Sequence, residues 1–143
     1  MVLNNFKFSD DNIAIEQNGS YYDLHNCFAF TNLNYDVANR ELLLGWEKRD
    51  ADWVPENSPE KILMAFSKVS LFKTRERDKE TPCSEDDCLN VMGFIWNSMV
   101  DDMSGFYSNE VQENCTHFIL EFMGGFSIKV EAEEISIKVL NHA

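Results

Sequence analysis

Four residues of the types that bind zinc in proteins, three cysteines and one histidine, form two closely spaced pairs in the sequence. Cys83 and Cys88 are separated by four residues, and Cys115 and His117 lie two positions apart. Thiolates and imidazoles are the usual ligands of structural zinc, so these four side chains could in principle close a tetrahedral site. The Cys-x4-Cys spacing is at the edge of the usual range, however, and a Cys-x-His pair on a strand does not form a knuckle. We therefore expect free thiols, a partly buried histidine and no bound metal.

Two cysteines also lie close in sequence to a histidine that could act as a base. Cys27 follows His25, and Cys115 precedes His117. A cysteine nucleophile needs a base within hydrogen-bond reach and a third group that orients this base, and proximity along a strand supplies neither. Neither pair lies in a known catalytic signature. The sequence therefore gives no support for a catalytic cysteine.

Adjacent carboxylates are the remaining candidates for acid–base chemistry. Such chemistry requires one carboxyl group whose pKa is raised in an apolar pocket, whereas adjacent acids in polar loops are usually solvated. The chain also lacks the G-x-S-x-G, P-loop, G-x-G-x-x-G, H-E-x-x-H and EF-hand patterns. We therefore expect neither enzymatic activity nor a cofactor. The adjacent acids are Asp10-Asp11, Glu85-Asp86-Asp87, Asp101-Asp102 and Glu133-Glu134.

The net charge restricts the partners that the protein can bind. The 143 residues include 25 acids and 12 bases, which gives a formal net charge of −13. Such a field repels phosphate backbones and anionic membrane surfaces, and it attracts a basic protein and accelerates their encounter. An alternative is that the acidity serves only solubility. We expect a basic protein partner, with no direct binding to nucleic acid or membrane.

The sequence also indicates a compartment. The first residues, MVLNNFKFSDDN, contain no apolar segment of a secretory signal, and no apolar run approaches the roughly 20 residues of a membrane helix. We therefore expect a cytoplasmic protein whose thiols are reduced.

The acids are concentrated in two polar segments, residues 80–87 and 101–113. Together they carry eight acids and no base, and the second segment also holds two aromatic residues beside Gly105. Aromatic anchors surrounded by acids suit an interface with a basic protein. The alternative is an acidic, solvated loop whose aromatic residues simply pack on the core of the domain. The predicted partner-binding residues are Glu85, Asp86, Asp87, Asp101, Asp102, Phe106, Tyr107, Glu110, Glu113 and, as a separate anchor, Trp53.

Alternation of apolar and polar residues predicts β-strands along most of the chain. The Asn18-Gly19 pair between two such runs predicts an early hairpin. Residues 42–46 and 89–96 are apolar runs that predict further strands, with a turn over residues 32–39 before the first. These two runs contain Trp46 and Trp96, which we therefore place in the core.

Three other stretches interrupt the regular pattern. The alternation slips by one residue between Phe66 and Val69 and again at Glu133-Glu134, and each slip predicts a β-bulge that bends a strand. Residues 73–87 predict a highly charged connection. Residues 97–114 are polar and mixed, and they predict at most a short helix with Ser108 as its N-cap.

The C-terminal third predicts a hairpin with a defined register. Phe118, Leu120 and Phe122 alternate with other residues before Gly124-Gly125, and a second alternating apolar triplet follows. A two-residue loop would place the two triplets on opposite faces, whereas a three-residue loop places both on one face. Because the buried face sets the register, we predict the three-residue loop with a left-handed glycine.

The sum of these elements is a mainly β domain, or an α+β domain with few short helices. Seven or eight strands with short connections favour antiparallel pairing. No linker divides the chain, so residues 1–143 are expected to form one domain. We predict an antiparallel β-sandwich or a strongly curved antiparallel sheet.

Two long stretches of the chain also resemble a known group of proteins. These stretches are CFAFTNLNYDVANRELLLGWEK and HFILEFMGGFSIKVEAEEISIKV. They resemble bacterial immunity proteins of polymorphic toxin systems, including contact-dependent growth inhibition systems. The resemblance covers about half of the chain and includes no diagnostic motif, so it transfers no individual residue. It implies a cytoplasmic protein that binds and blocks one cognate toxin, often a nuclease.

Charge and resemblance together predict an immunity-type protein that neutralises a cognate basic toxin through an acidic surface. We expect it to act as a monomer. The alternatives are a small-molecule-binding β-domain, suggested by the aromatic-rich strands, and an enzyme that uses cysteine or clustered carboxylates. A deep apolar pocket would favour the first alternative, and a solid core would count against it.

Overall fold

The computed structural model describes residues 1–99, 101–105 and 107–141, and this part of the chain is mainly β, as predicted. It contains twelve short strands rather than seven or eight, and its helical elements are the single 3-10 turns Cys83–Glu85 and Asn97–Met99. The strands are β1 (Val2–Asn4), β2 (Lys7–Phe8), β3 (Ala14–Gln17), β4 (Ser20–Asp23), β5 (Phe28–Asp36), β6 (Glu41–Lys48), β7 (Lys61–Ser67), β8 (Leu71–Arg75), β9 (Leu89–Ile95), β10 (His117–Phe122), β11 (Ser127–Glu131) and β12 (Glu134–Leu140).

The strands form three sheets. The order is β1-β12-β7-β6-β5 in a five-stranded sheet, β8-β11-β10-β9 in a four-stranded sheet and β2-β3-β4 in a three-stranded sheet. Neighbouring strands are antiparallel, as predicted, except that β1 runs parallel to β12. The parallel pair arises because the first strand joins a strand from the opposite end of the chain, for which no tight turn is needed.

Two neighbouring strand pairs bend from one large sheet into the other. β7 pairs with β12 in the five-stranded sheet, and β8 pairs with β11 in the four-stranded sheet. The ladder continues around the bend, because Ser70 N–H donates to Glu131 O at 2.9 Å and Glu133 N–H donates to Ser67 O at 3.0 Å. The two predicted slips therefore do mark a bend. The residues before and after each slip form separate strands in different sheets, however. At the first slip, the left-handed Lys68 (φ 54°) turns the chain from β7 to β8.

The two large sheets contact each other through aromatic side chains. The ring of Phe66 on β7 lies 6.0 Å from that of Phe118 on β10, and the ring of Phe30 on β5 lies 4.6 Å from that of Phe122 on β10. The three-stranded sheet contributes Phe8, which stacks on Phe118 at 4.6 Å. Burial of these rings, and of the aliphatic side chains around them, joins all three sheets in one apolar cluster.

The early hairpin is confirmed at Asn18-Gly19. Both residues have positive φ, 52° and 79°. A two-residue turn with positive φ at both positions matches the twist of the two strands that it joins. The strand that follows ends at Asp23, and the aromatic-rich run continues after a turn as the separate strand β5.

The C-terminal hairpin has the predicted three-residue loop. Leu120 pairs with Ile128, and Phe122 N–H donates to Phe126 O at 2.9 Å. Gly125 has a φ of 92° in this loop, a backbone conformation that residues other than glycine rarely adopt. Both apolar triplets therefore face the core, as the burial argument requires.

Three other predictions are wrong. Residues 32–36 belong to β5 and not to a turn, because they pair with β6 after a bulge at Thr31. The charged connection begins only after Arg75, where β8 ends. Ser108 caps no helix and instead forms an isolated bridge to Phe94 of β9. In each case, backbone pairing with another strand overrides what the local polar composition indicates.

Candidate interaction surface

The described residues between β9 and β10, 96–99, 101–105 and 107–116, lie against the outer face of the four-stranded sheet and are here called the acidic strap. Phe94 N–H donates to Ser108 O at 2.8 Å, and Ser108 N–H donates to Phe94 O at 2.9 Å. At the base of the strap, the N–H of Thr116 donates to Asn97 Oδ1 at 2.8 Å, and Asn97 N–H donates to Asn114 O at 2.8 Å. These hydrogen bonds fasten the strap to β9 and close its two ends on each other.

The strap approaches β9 most closely at Gly93. A Cβ atom here would lie 2.7 Å from Tyr107 Cβ, 2.9 Å from Asn12 Nδ2 and 3.0 Å from Ser108 O, so only glycine leaves room for the strap. The hydroxyl of Tyr107 is buried. Burial raises the pKa of Tyr107, and the nearby carboxylate of Glu121 raises it further. Tyr107 thus packs down on the sheet and helps to position the strap.

A buried lysine holds the strap from below. Lys129 on β11 is fully buried, and its Nζ donates to Met99 O at 2.5 Å and to Asp102 O at 2.9 Å. Burial lowers the pKa of Lys129, and the nearby ammonium of Lys73 lowers it further. Sequence reasoning missed this residue, because alternation places Lys129 opposite the core face, where solvent is expected. The available signal was that Lys129 is one of the two bases in the acidic region after residue 79, the other being Lys138.

A polar network lies beside the base of the strap. His117 Nε2 is 3.2 Å from Glu131 Oε2, and Glu131 accepts hydrogen bonds from Ser70 Oγ at 2.8 Å and Thr116 Oγ1 at 3.1 Å. The hydrogen bonds from Ser70 and Thr116 hold the pKa of Glu131 below its ordinary value. Burial lowers the pKa of His117 despite the adjacent carboxylate. A neutral imidazole and an ionised carboxylate therefore share this position at neutral pH.

The strap presents its carboxylates to solvent. Asp101, Asp102, Glu110 and Glu113 are all exposed, and the strap contains no lysine or arginine. Within the described ranges, these four residues form a single ion pair, Asp101 to Lys73 at 3.7 Å, in which the Asp101 side chain is 95% exposed. An ion pair that is so exposed contributes little. The ammonium groups of Lys73 and of the buried Lys129 lie close to Asp101 and Asp102, whereas Glu110 and Glu113 form no ion pair within the described ranges.

An exposed tryptophan stands at the start of the strap, contrary to the prediction that Trp96 is core. Trp96 is 50% exposed, because β9 ends at Ile95 and the next residue already lies outside the sheet. Trp46, in contrast, is fully buried, as predicted. Phe106, one of the two predicted anchors of the strap, lies outside the described residues. Trp96 is thus an exposed aromatic beside the acids that sequence reasoning did not select.

The other acidic segment, residues 80–87, is partly neutralised by arginines. Arg77 Nε donates to both carboxylate oxygens of Asp86 at 2.9 and 3.0 Å, and Arg49 Nη2 lies 3.1 Å from Asp87 Oδ1. Both arginines lie outside residues 80–87, Arg77 nine positions before Asp86 and Arg49 38 positions before Asp87, so a count of charges within the segment does not reveal these pairs. Two of the four acids of this segment, Asp86 and Asp87, are therefore paired with arginines.

Trp53 lies beside this second segment and not beside the strap. Its indole is 67% exposed, and Nε1 donates to Asn26 O at 2.8 Å. Together with Glu85 and Asp87 it lines a shallow cleft of about 270 Å³. The seven residues of β9 separate this cleft from the base of the strap by about 20 Å. The structure thus divides the predicted partner-binding residues into two groups, one on the strap and one at the cleft beside the start of β9.

The structure does not bring the four possible zinc ligands together. Cys115 is buried, whereas Cys88 is half-buried and its Sγ lies 3.5 Å from His25 Nδ1. This nitrogen donates to Leu89 O, so it cannot at the same time accept the thiol proton. Burial also raises the pKa of Cys88, which favours the thiol at neutral pH. In the described part of the chain, no three His, Cys, Asp or Glu side chains are grouped as a metal site.

Among residues 1–99, 101–105 and 107–141, no helix is long and apolar enough to cross a membrane. No family model matches the chain, and no curated protein or solved structure matches it.

Proposed function

We propose that this protein is an immunity-type inhibitor that binds and neutralises a cognate basic toxin through the acidic strap. The proposal places the protein in the cytoplasm, as a monomer. A nuclease is the toxin class that fits best, because a nuclease active site must attract phosphate and an acidic protein surface can occupy the same site.

The observation that carries the proposal is the contrast between the two acidic segments. The carboxylates of residues 80–87 lie partly beside arginines, whereas those of the strap have one weak, exposed ion pair among the described residues. Charges that are not paired within the molecule remain available to a partner and generate the field that steers its approach. We therefore restrict the predicted interface to the strap.

The structure also supports a preorganised surface. Lys129 and the Ser108–Phe94 bridge hold the strap in one position before any partner binds. A surface that is ordered in advance loses less conformational entropy on binding. The half-exposed Trp96 adds an aromatic group of the kind that dominates interface energetics.

The test uses the protein encoded by the gene beside this one, purified separately. We would measure its binding to this chain at low and high ionic strength, for Asp101→Lys/Asp102→Lys and for the control Glu41→Lys/Glu56→Lys. All four side chains are exposed, and each double substitution changes the formal net charge from −13 to −9. The strap variant should weaken binding about tenfold or more, chiefly through slower association, and the control should have much less effect.

Equal effects of the two double variants would remove the strap from the interface. Normal growth of a toxin-exposed strain that lacks this gene would overturn the function itself. The two outcomes are independent, because an inhibitor can use another surface.

A further inference from the structure

A cleft of about 550 Å³ opens between the two large sheets, at the end of the four-stranded sheet that is remote from the base of the strap. Its apolar walls are Phe30 of β5 and Phe126, which directly precedes β11. The buried Phe122 lies between them, with ring centroids 4.6 Å from Phe30 and 5.9 Å from Phe126. A concave site with aromatic walls and a volume of this size suits a small molecule.

The rim of this cleft carries charges that balance one another. Glu76, Arg77, Lys79 and Asp86 complete its lining. Arg77 and Asp86 are already paired with each other through two hydrogen bonds from Nε, so neither is a free charge for a ligand. One acid and one base remain at the rim, and the net charge of −13 opposes the entry of an anion. The rim therefore does not favour binding of a charged ligand.

The cleft is formed before any ligand binds. Asp78 N–H donates to Gly124 O at 2.8 Å, and Arg77 Nη2 donates to Thr81 O at 2.6 Å, so the charged connection is fixed over the C-terminal hairpin. A Cβ at Gly124 would overlap Asp86 Oδ1, which shows how closely this connection lies on the hairpin. Opposite them, Phe30 N–H donates to Asp87 O at 2.8 Å. A ligand would enter a site whose walls need no rearrangement.

We propose that this cleft is a binding site for a small, uncharged, planar aromatic molecule. The aromatic walls provide stacking, and the balanced rim selects against net charge. The site does not depend on the proposed inhibitor function, because none of the residues that line the cleft belongs to the strap.

The test compares two fluorescent probes on the folded chain. Phenyl-naphthylamine is uncharged, and anilinonaphthalene sulfonate has the same rings with an added anionic group. We expect saturable one-to-one binding of the uncharged probe, and binding of the sulfonate that is about tenfold weaker. Binding of the sulfonate that equals or exceeds that of the uncharged probe would overturn the proposed ligand chemistry.

Two substitutions locate the probe. Phe126→Ala removes one wall and should weaken binding of the uncharged probe about tenfold, whereas the control Val37→Ala, at an exposed apolar residue outside the cleft, should leave it unchanged. Unchanged binding by a folded Phe126→Ala variant would overturn the site.

The second substitution covers the case in which Phe126→Ala does not fold. Glu76→Lys changes an exposed residue and gives the rim a positive charge, so it should strengthen binding of the sulfonate probe about fivefold. Glu56→Lys makes the same change in net charge outside the cleft and serves as the control. Equal effects of the two lysine variants would also overturn the site.

Discussion

Substitution of Gly93 by alanine tests whether the strap is fitted to β9 as closely as the structure indicates. The new Cβ would lie 2.7 Å from Tyr107 Cβ and 3.0 Å from Ser108 O. Carbon atoms in contact prefer about 3.5–4.0 Å, so the strap must move by about 1 Å. Such a movement weakens the two Ser108–Phe94 hydrogen bonds, which contribute about 1 kcal/mol each.

The two effects can be combined into an expected change in the free energy of unfolding. Overpacking at a tight site costs about 1–3 kcal/mol in addition to the weakened hydrogen bonds. The lower entropy of an alanine-containing unfolded chain offsets about 0.4–1 kcal/mol. We therefore expect Gly93→Ala to lower the free energy of unfolding by about 2–3 kcal/mol.

Urea denaturation followed by circular dichroism measures this change, with Gly45→Ala as the matched control. Gly45 is also an interior strand glycine, but its Cβ would meet only side-chain atoms, the nearest being Asn32 Cβ at 3.1 Å. The control should lose less than about 1 kcal/mol. An equal loss in the two variants, or no loss in Gly93→Ala, would refute the close approach of the strap.

Three further variants test other parts of the structure. The pKa of His117 is lowered from 6.5 in the fold, so the unfolded chain binds a proton first and the free energy of unfolding should fall as the pH drops below about 6.5. His117→Asn should flatten this pH dependence in urea transitions measured from about pH 5 to pH 7. An unchanged pH dependence in the variant would count against this role of His117. Lys129→Met removes the donor to Met99 O and Asp102 O, so hydrogen exchange of the strap amides should accelerate about tenfold, and unaltered exchange would show that Lys129 does not hold the strap. Phe118→Ala should lower the free energy of unfolding by about 3–5 kcal/mol, because its buried ring contacts three other phenylalanine rings; a loss below about 1 kcal/mol would contradict this packing.

The sequence predicted best where a local rule decides the structure. The Asn18-Gly19 turn and the register at Phe122 follow from backbone conformation and from the need to bury both apolar triplets, and both were confirmed. The two slips in alternation correctly located the bends. They could not show that each bend carries the chain into another sheet, because that depends on which distant strand becomes the neighbour.

The candidate surface was predictable only in part, for a similar reason. The acids and their concentration after residue 79 can be read from the sequence, and these acids remain the basis of the proposed function. Their pairing cannot be read, because composition does not show which acid an arginine reaches: Arg49 meets Asp87 from 38 positions away, and Arg77 pairs with Asp86 within the charged connection. The exposure of Trp96 and the burial of Lys129 likewise depend on where a strand ends and on what covers its outer face.

The sequence by itself thus determined the β class, the two hairpins and the acidic character of the chain, since each depends on neighbouring residues or on composition alone. The tertiary structure decided which acids stay unpaired, which aromatic residue is exposed and where a cleft opens between the sheets. These properties depend on contacts between residues far apart in the chain, and strand order fixes such contacts in a way that local patterns do not specify.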